Sequence, residues 1–265
     1  MRNLGNMALK LAANLSFLFK EQPLLERFEA ASRNGFNGVE FGADVVSTSS
    51  KEELVMAKER AGVEVVGLCG PNGAPGEYGV AAVPGREEDF KTFLSTAIEY
   101  AVALKCPRVH MLTGAVDPSI RDNAEQTFIA NLKHAAQECA KHNITVLIEP
   151  ISVIPNYFLT HQQQAVDILK KVDYPNVKLE FDVFHAQRMD GNLTEFLRSH
   201  LQYVDHIQIS QVPGRHEPDE KGEVNFPFFI DALQSMGYQG WLACEYIPAT
   251  TTEEGLHWTK NYIGK

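Results

Sequence analysis

Positive charge is in short supply. The chain of 265 residues carries 24 Lys+Arg against 34 Asp+Glu, a net charge of −10. Such a balance repels phosphate backbones and anionic bilayers, so neither nucleic acid nor a membrane surface is an expected partner. Cysteine is scarce too: Cys69, Cys106, Cys139 and Cys244 stand without C-x-x-C spacing. That usage fits a reducing compartment in which each is a small buried apolar residue, and the expected location is cytoplasmic. No window approaches the ~18 apolar residues of a membrane span. The opening MRNLGNMALKLAANLSFLF is interrupted at Lys10, Asn14 and Ser16 and is followed by no small-x-small cleavage site, so it is assigned to a first strand and not to a leader. There is no G-x-G-x-x-G after that strand and no G-x-x-x-x-G-K-[ST], which removes two common phosphate cradles. Nor is there a Pro/Ser-rich linker, so one domain is expected over residues 1–265.

What is present is an alternation of short apolar runs with stretches of helical period, the pattern of repeated strand–helix units around a parallel sheet. Eight strands are expected: Leu9–Ser16, Gly38–Phe41, Val63–Cys69, Arg108–Thr113, Thr145–Pro150, Val177–Phe181, Val204–Ile209 and Trp241–Glu245. Helical stretches fall near 23–34, 51–61, 86–104, 122–141, 161–172, 193–201, 226–236 and 252–260, with Asp122 and Thr160 as candidate N-caps and Gly35, Gly62 and Gly237 as stops. Closing eight parallel strands into a (β/α)8 TIM barrel removes both sheet edges, and this α/β barrel is preferred to a doubly wound open sheet. The Gly/Pro-rich segments Gly70–Gly79 and Gln211–Gly222 are expected to cover the barrel mouth.

Working residues of such barrels lie at the carboxyl ends of the strands. There the chain offers Glu149, Asp182, Gln208 and Glu245, separated by 33, 26 and 37 residues, or one strand–helix unit each. Any one of these could simply cap a helix or pair with a lysine. Three carboxylates brought together repel one another and call for a cation. An all-oxygen set suits Mg²⁺ or Mn²⁺ better than zinc. His185 and Arg215 follow closely in sequence. Arg215 is suited to grip a carboxylate by paired hydrogen bonds; His185 either polarises a substrate oxygen or only supports the site. Strand alternation turns Glu180 and His206 inward one layer below, where they are expected to hydrogen-bond to each other or through one water. His134, His142, His161, His200 and His257 fall in or beside helices and receive no role.

The blocks LAANLSFLF, GVEF, VPGREEDF, LIEP, FDVFHAQRMDG, HIQISQVPGRHEP, GEVNF and CEYIPATTTEEGL cover almost the whole chain, and with them it resembles the hydroxypyruvate isomerase family of the xylose isomerase-like barrels. The resemblance implies an intramolecular oxidoreductase of the aldose–ketose type that interconverts hydroxypyruvate and tartronate semialdehyde with a divalent metal, its substrate a small anionic hydroxy-oxo acid. It implies Glu149, Asp182, Gln208 and Glu245 as metal ligands, Glu149 and Glu245 as the acid/base pair, and His185 and Arg215 as substrate contacts. The loops GPNGAPGEYG, ISVIPNYFL and HEPDEKGEVNF depart from the family pattern, which leaves open an isomerase of four-carbon oxo acids, a sugar epimerase, or a non-catalytic sugar-acid binder. An apurinic endonuclease would want further histidines for a zinc cluster and a basic face. Self-assembly into a homo-oligomer is compatible with everything read here.

Overall fold

The computed structural model describes residues 10–74 and 76–262. Eight parallel strands, β1 (Lys10–Asn14), β2 (Gly38–Phe41), β3 (Glu64–Cys69), β4 (Arg108–His110), β5 (Thr145–Ile148), β6 (Val177–Asp182), β7 (Val204–Ile209) and β8 (Trp241–Cys244), close into a barrel in chain order. β8 returns to β1 through Lys10–Trp241 to Ala13–Cys244 pairing, so no edge is left. The expected strand start at Leu9 and Pro75 of the 70–79 loop lie outside the described residues.

Helices surround the strands: α1 (Arg27–Arg33), α2 (Ala43–Thr48), α3 (Lys51–Ala61), α4 (Glu87–Leu104), α5 (Arg121–Ala140), α6 (Gln162–Val172), α7 (Val183–Met189), α8 (Leu193–His200), α9 (Phe226–Ser235) and α10 (Thr252–Gly255). The outward strand residues Val39, Phe41, Val109, Val146, Ile148, Phe181 and Ile207 are buried beneath them, as strands covered on both faces require. No described helix is long and apolar enough to cross a membrane.

Several boundaries differ from expectation for local reasons. β4 stops at His110 because the carbonyls of Leu112 and Thr113 accept from Ala81 and Ala82 of the incoming loop, not from a neighbouring strand. α5 begins at Arg121, so Asp122 sits inside its first turn and not at its cap; the preceding 3₁₀ turn is capped by Asp117 instead. Thr160 does not cap α6 either. Its N-terminal amide, Gln162 N, donates to the Asp190 carboxylate from outside the helix at 2.9 Å. Gly35, Gly62 and Gly237 all lie at positive φ just beyond a helix end, where a side chain would be strained. Two short helices were not expected. α2 and α7 start directly after β2 and β6, and Asp182 caps α7 by accepting the Phe184 amide at 2.7 Å.

Inside the barrel the floor is apolar. Ala12, Val66, Trp241 and Ala243 pack there as a buried cluster. Gly38 makes room for the indole: a β-carbon at that position would lie 2.6 Å from the Trp241 ring. Above this plug the inward positions turn polar, with Asn14 opposite Glu40, Glu180 opposite His206, and Asp182 opposite Gln208. A wet functional layer thus rests on a dry floor.

Candidate active site

The four strand-end residues meet at one mouth. Glu149 and Glu245 stand one residue beyond β5 and β8, while Asp182 closes β6 and Gln208 lies within β7. Glu149, Asp182 and Gln208 are almost wholly buried. Arg215 joins the set: one of its terminal nitrogens donates to Asp182 Oδ2 at 3.1 Å and to Glu245 Oε2. Its guanidinium is sandwiched between Phe17 and Phe184, 4.8 and 4.9 Å from the ring centroids. Arg215 is also held at φ 56°, an uncommon conformation for a residue with a side chain, and its backbone is tied to Gln211 and Ile247. The Gln211–Gly222 loop is itself stapled, since the Gln211 amide bonds to Pro218, Glu220 and Val224 backbone atoms. It therefore presents Arg215 as a fixed group.

His185 sits 3.4 Å from Asp182 Oδ2 and 3.8 Å from Glu149 Oε1 through its Nε2. Its other nitrogen, Nδ1, accepts from the Ser152 backbone N–H at 3.1 Å. An accepting Nδ1 carries no proton, so the neutral ring presents Nε2–H to the site. Burial also lowers the His185 pKa to about 4, keeping the ring neutral near pH 7. Ser152 Oγ lies 2.8 Å from Nδ1 and accepts from Arg188 Nε at 3.0 Å. Ser152 belongs to the loop ISVIPNYFL, so an atypical segment supports the histidine.

The lower layer adds partners to the expected pair. Glu180 and His206 do point inward, but His206 Nε2 pairs with Glu40 Oε2, and Glu180 lies 3.2 Å from His110 Nδ1. Atoms of Glu40, Glu180 and His206 lie within 4.8 Å of one another, with no direct Glu180–His206 hydrogen bond. Reading GVEF and RVHML as simple apolar strands passed over Glu40 and His110; a charged or basic residue in the middle of such a run was the available signal. Asn14 was missed as well. Its amide donates to Glu40 Oε1 at 2.8 Å and to Glu245 Oε1 at 3.0 Å. A cavity of about 50 Å³ runs between these groups, bordered by Asn14, Glu40, His110, Glu149, Glu180 and Gln208 among others.

Crowding sets the electrostatics. Burial, reinforced by Glu180, Glu245 and Asp182, pushes the Glu149 carboxyl well above the ordinary range. Burial raises Glu180 in the same way, with Glu40 adding to it. For Glu245, burial outweighs the opposing Arg215 charge and lifts the value to about 8. Glu40 goes the other way: burial works to raise it, but His206 and the Gln208 and Asn14 hydrogen bonds prevail and hold it low. Ligand-capable atoms of Glu149, Asp182 and His185 lie within 4.8 Å of one another, as do those of His110, Glu149 and Glu180. The buried Gln208 Oε1 and Arg215 Nε have no hydrogen-bond partner among the described residues. An orphaned acceptor beside three carboxylates fits a divalent cation held by oxygen, and an orphaned guanidinium N–H fits an anionic ligand.

Comparison with known proteins agrees with this geometry. The family profile described as "Xylose isomerase-like TIM barrel" matches residues 28–262. The chain belongs to that family. A Danio rerio protein that carries the provisional name hydroxypyruvate isomerase is 46% identical, with 96% of this chain and 95% of the relative covered. A 2-oxo-tetronate isomerase of Pectobacterium atrosepticum is 44% identical over 97% of this chain and 98% of its own length. Among solved structures, one described as AP endonuclease, family 2, from Brucella melitensis superposes with a TM-score of 0.93 at 42% identity, covering 97% of this chain and all of that one. The barrel is thus related to isomerases of both three- and four-carbon acids.

Proposed function

We propose that this chain is a single-domain, divalent-metal-dependent isomerase of short hydroxy-oxo acids, interconverting hydroxypyruvate and tartronate semialdehyde by proton transfer through an enediolate. The observation that carries the reading is the convergence of the buried Glu149 and Asp182, the partly buried Glu245 and the unpartnered Gln208 Oε1 on one mouth, with the Arg215 guanidinium beside them. Glu149, Asp182, Gln208 and Glu245 would hold Mg²⁺ or Mn²⁺. When bound, such an ion supplies charge stabilisation for the developing enediolate oxygens.

The chain's own groups divide the remaining work. Arg215, pinned between two aromatic rings, grips the substrate carboxylate, which brings an anion to an acidic protein through a local field. His185, as the neutral Nε2–H tautomer, donates to the substrate carbonyl oxygen. Glu149 and Glu245 exchange the carbon-bound proton. Their surroundings are unequal: Glu245 accepts from Asn14, Gln208 and Arg215, whereas among the described residues the donors nearest the Glu149 oxygens are two histidine rings, at 3.6 and 3.8 Å. Glu149, with fewer donors to quench its basicity, takes the proton; Glu245 returns it.

A four-carbon 2-oxo acid is the second reading, supported by the similar identities of the two relatives. The deciding experiment is a turnover screen of three- and four-carbon hydroxy-oxo acids and uncharged ketoses, using chelator-stripped protein with Mg²⁺ or Mn²⁺ restored. Metal-dependent conversion of hydroxypyruvate above the other substrates is expected. Preference for an uncharged ketose would move the reading to an epimerase, and tight binding without turnover would move it to a sugar-acid binder.

A further inference from the structure

Gln208 can serve a cation only if its amide is turned the right way, since Oε1 is a ligand and Nε2–H2 repels a metal. The hydrogen-bond pattern fixes that choice. Gln208 Nε2 donates to Glu40 Oε1 at 2.9 Å and to Glu245 Oε1 at 3.3 Å, which uses both of its hydrogens. Asn14 Nδ2 makes the same two contacts, at 2.8 and 3.0 Å. The Asn14 carbonyl is in turn occupied by the Ser16 amide at 3.0 Å. Two amides are thus keyed to the same pair of oxygens. Of their two carbonyls, only Gln208 Oε1 is left without a partner, in a residue that is 5% exposed.

Glu40 is the element of this lock that is not among the four strand-end residues proposed to hold the metal. It is 3% exposed, on β2, with its second oxygen occupied by His206. A carboxylate at this place accepts in every direction and can never donate. It therefore tolerates the NH2 end of Gln208 and rejects the flipped orientation, in which two oxygens would meet. Glu245 shares the contact but is itself drawn on by Arg215.

We infer that Glu40 is a positioning residue that sets the amide orientation of Gln208, so that Oε1 and not Nε2 faces the cation. The inference rests on the metal-ligand reading of Gln208 proposed above. Its consequence is a specific coupling. Loss of Glu40 should weaken metal binding while residue 208 is an amide, because the orientation that presents a donor to the ion is then no longer rejected and the liganding oxygen is no longer held in place. The same loss should do no harm when residue 208 is glutamate, whose two oxygens are equivalent.

The test is Mn²⁺ affinity, read from the free-ion EPR signal on the full chain after chelator treatment, for wild type, Glu40→Met, Gln208→Glu and the double variant. Folding is checked by circular dichroism, and Glu40→Asp, which keeps the charge but withdraws the oxygens by one methylene, serves if Glu40→Met fails to fold. Glu40→Met should weaken Mn²⁺ binding about 10–100-fold, the range known for residues that orient metal ligands. In the Gln208→Glu background the same change should leave affinity unchanged or improve it, by removing a carboxylate–carboxylate contact. Equal weakening in both backgrounds, or no weakening in either, overturns the inference while leaving the metal site standing. Gln208→Met separates the two claims: if it does not reduce Mn²⁺ affinity in otherwise wild-type protein, the ligand reading of Gln208 fails and the inference fails with it.

Discussion

Crowded carboxylates make metal-free stability depend on pH with a calculable sign. The Glu245 carboxyl is raised from its ordinary 4.5 to about 8, mainly by burial. A carboxyl raised on folding contributes its full stability below the unfolded value and loses it as pH climbs through the folded value, because the unfolded chain releases the proton first. Two buried histidines act in the opposite sense. His110 and His185 fall from 6.5 to about 4 through burial, so their contribution grows as pH rises through that interval and levels off about one unit above 6.5. From pH 6.5 to 8 the carboxyl loss dominates, and comparison with Glu245→Gln cancels what remains of the histidine gain. Each retained proton costs about 1.4 kcal/mol per pH unit there, which for Glu245 alone amounts to about 1.5 kcal/mol across the window as it begins to titrate. Urea unfolding of chelator-stripped protein at pH 6.5, 7, 7.5 and 8 should show this decline. Glu245→Gln should remove about one proton's worth of slope, and saturating Mn²⁺, by holding the carboxylates ionised, should flatten the wild-type profile. A metal-free slope identical in wild type and Glu245→Gln would refute the argument that burial keeps this carboxyl protonated.

The remaining expectations concern single groups. Glu149→Gln and Glu245→Gln keep an oxygen for the metal but accept no proton, so at saturating metal turnover should fall by orders of magnitude; NMR should still detect solvent deuterium entering the substrate with Glu245→Gln but not with Glu149→Gln, and near-normal isomerisation by either would remove that glutamate from the mechanism. Arg215→Ala should cost about 2–3 kcal/mol in kcat/KM for acid substrates, through loss of a charge-assisted pair, and an equal loss with an uncharged ketose would contradict the carboxylate grip. Ser152→Ala removes a hydroxyl but not the backbone donor to His185, so kcat should drop about fivefold, roughly 1 kcal/mol, with KM steady. ¹⁵N chemical shifts should keep His185 as the Nε2–H tautomer in that variant; conversion to Nδ1–H would show the hydroxyl to be the decisive contact.

The barrel was legible because its cause is distributed over the whole chain. Eight apolar runs at the spacing of strand–helix units leave few ways to bury them, and moving one boundary, as at β4, leaves that count unchanged. The positions of Glu149, Asp182, Gln208 and Glu245 were legible for a related reason, since each marks the end of a strand and strand ends share one rim. What the sequence did not disclose are contacts across the barrel. Glu40 meets His206 and Gln208 over separations of 166 and 168 residues. Alternation gives the face on which a residue lies but not which inward side chain it meets, because that depends on strand tilt and register around a closed sheet. His206 shows how the inference stops short. Its inward direction followed from period two, yet the neighbouring strand offered Glu180 while the far side offered Glu40, and the carboxylate that pairs with it also accepts from the Asn14 and Gln208 amides. A buried acid surrounded by donors is lower in free energy as an anion than one facing other carboxylates, and the opposite pKa directions of Glu40 and Glu180 express that difference. Strand spacing brings the oxygens to one rim, and the cross-barrel partners determine which of them keep their protons.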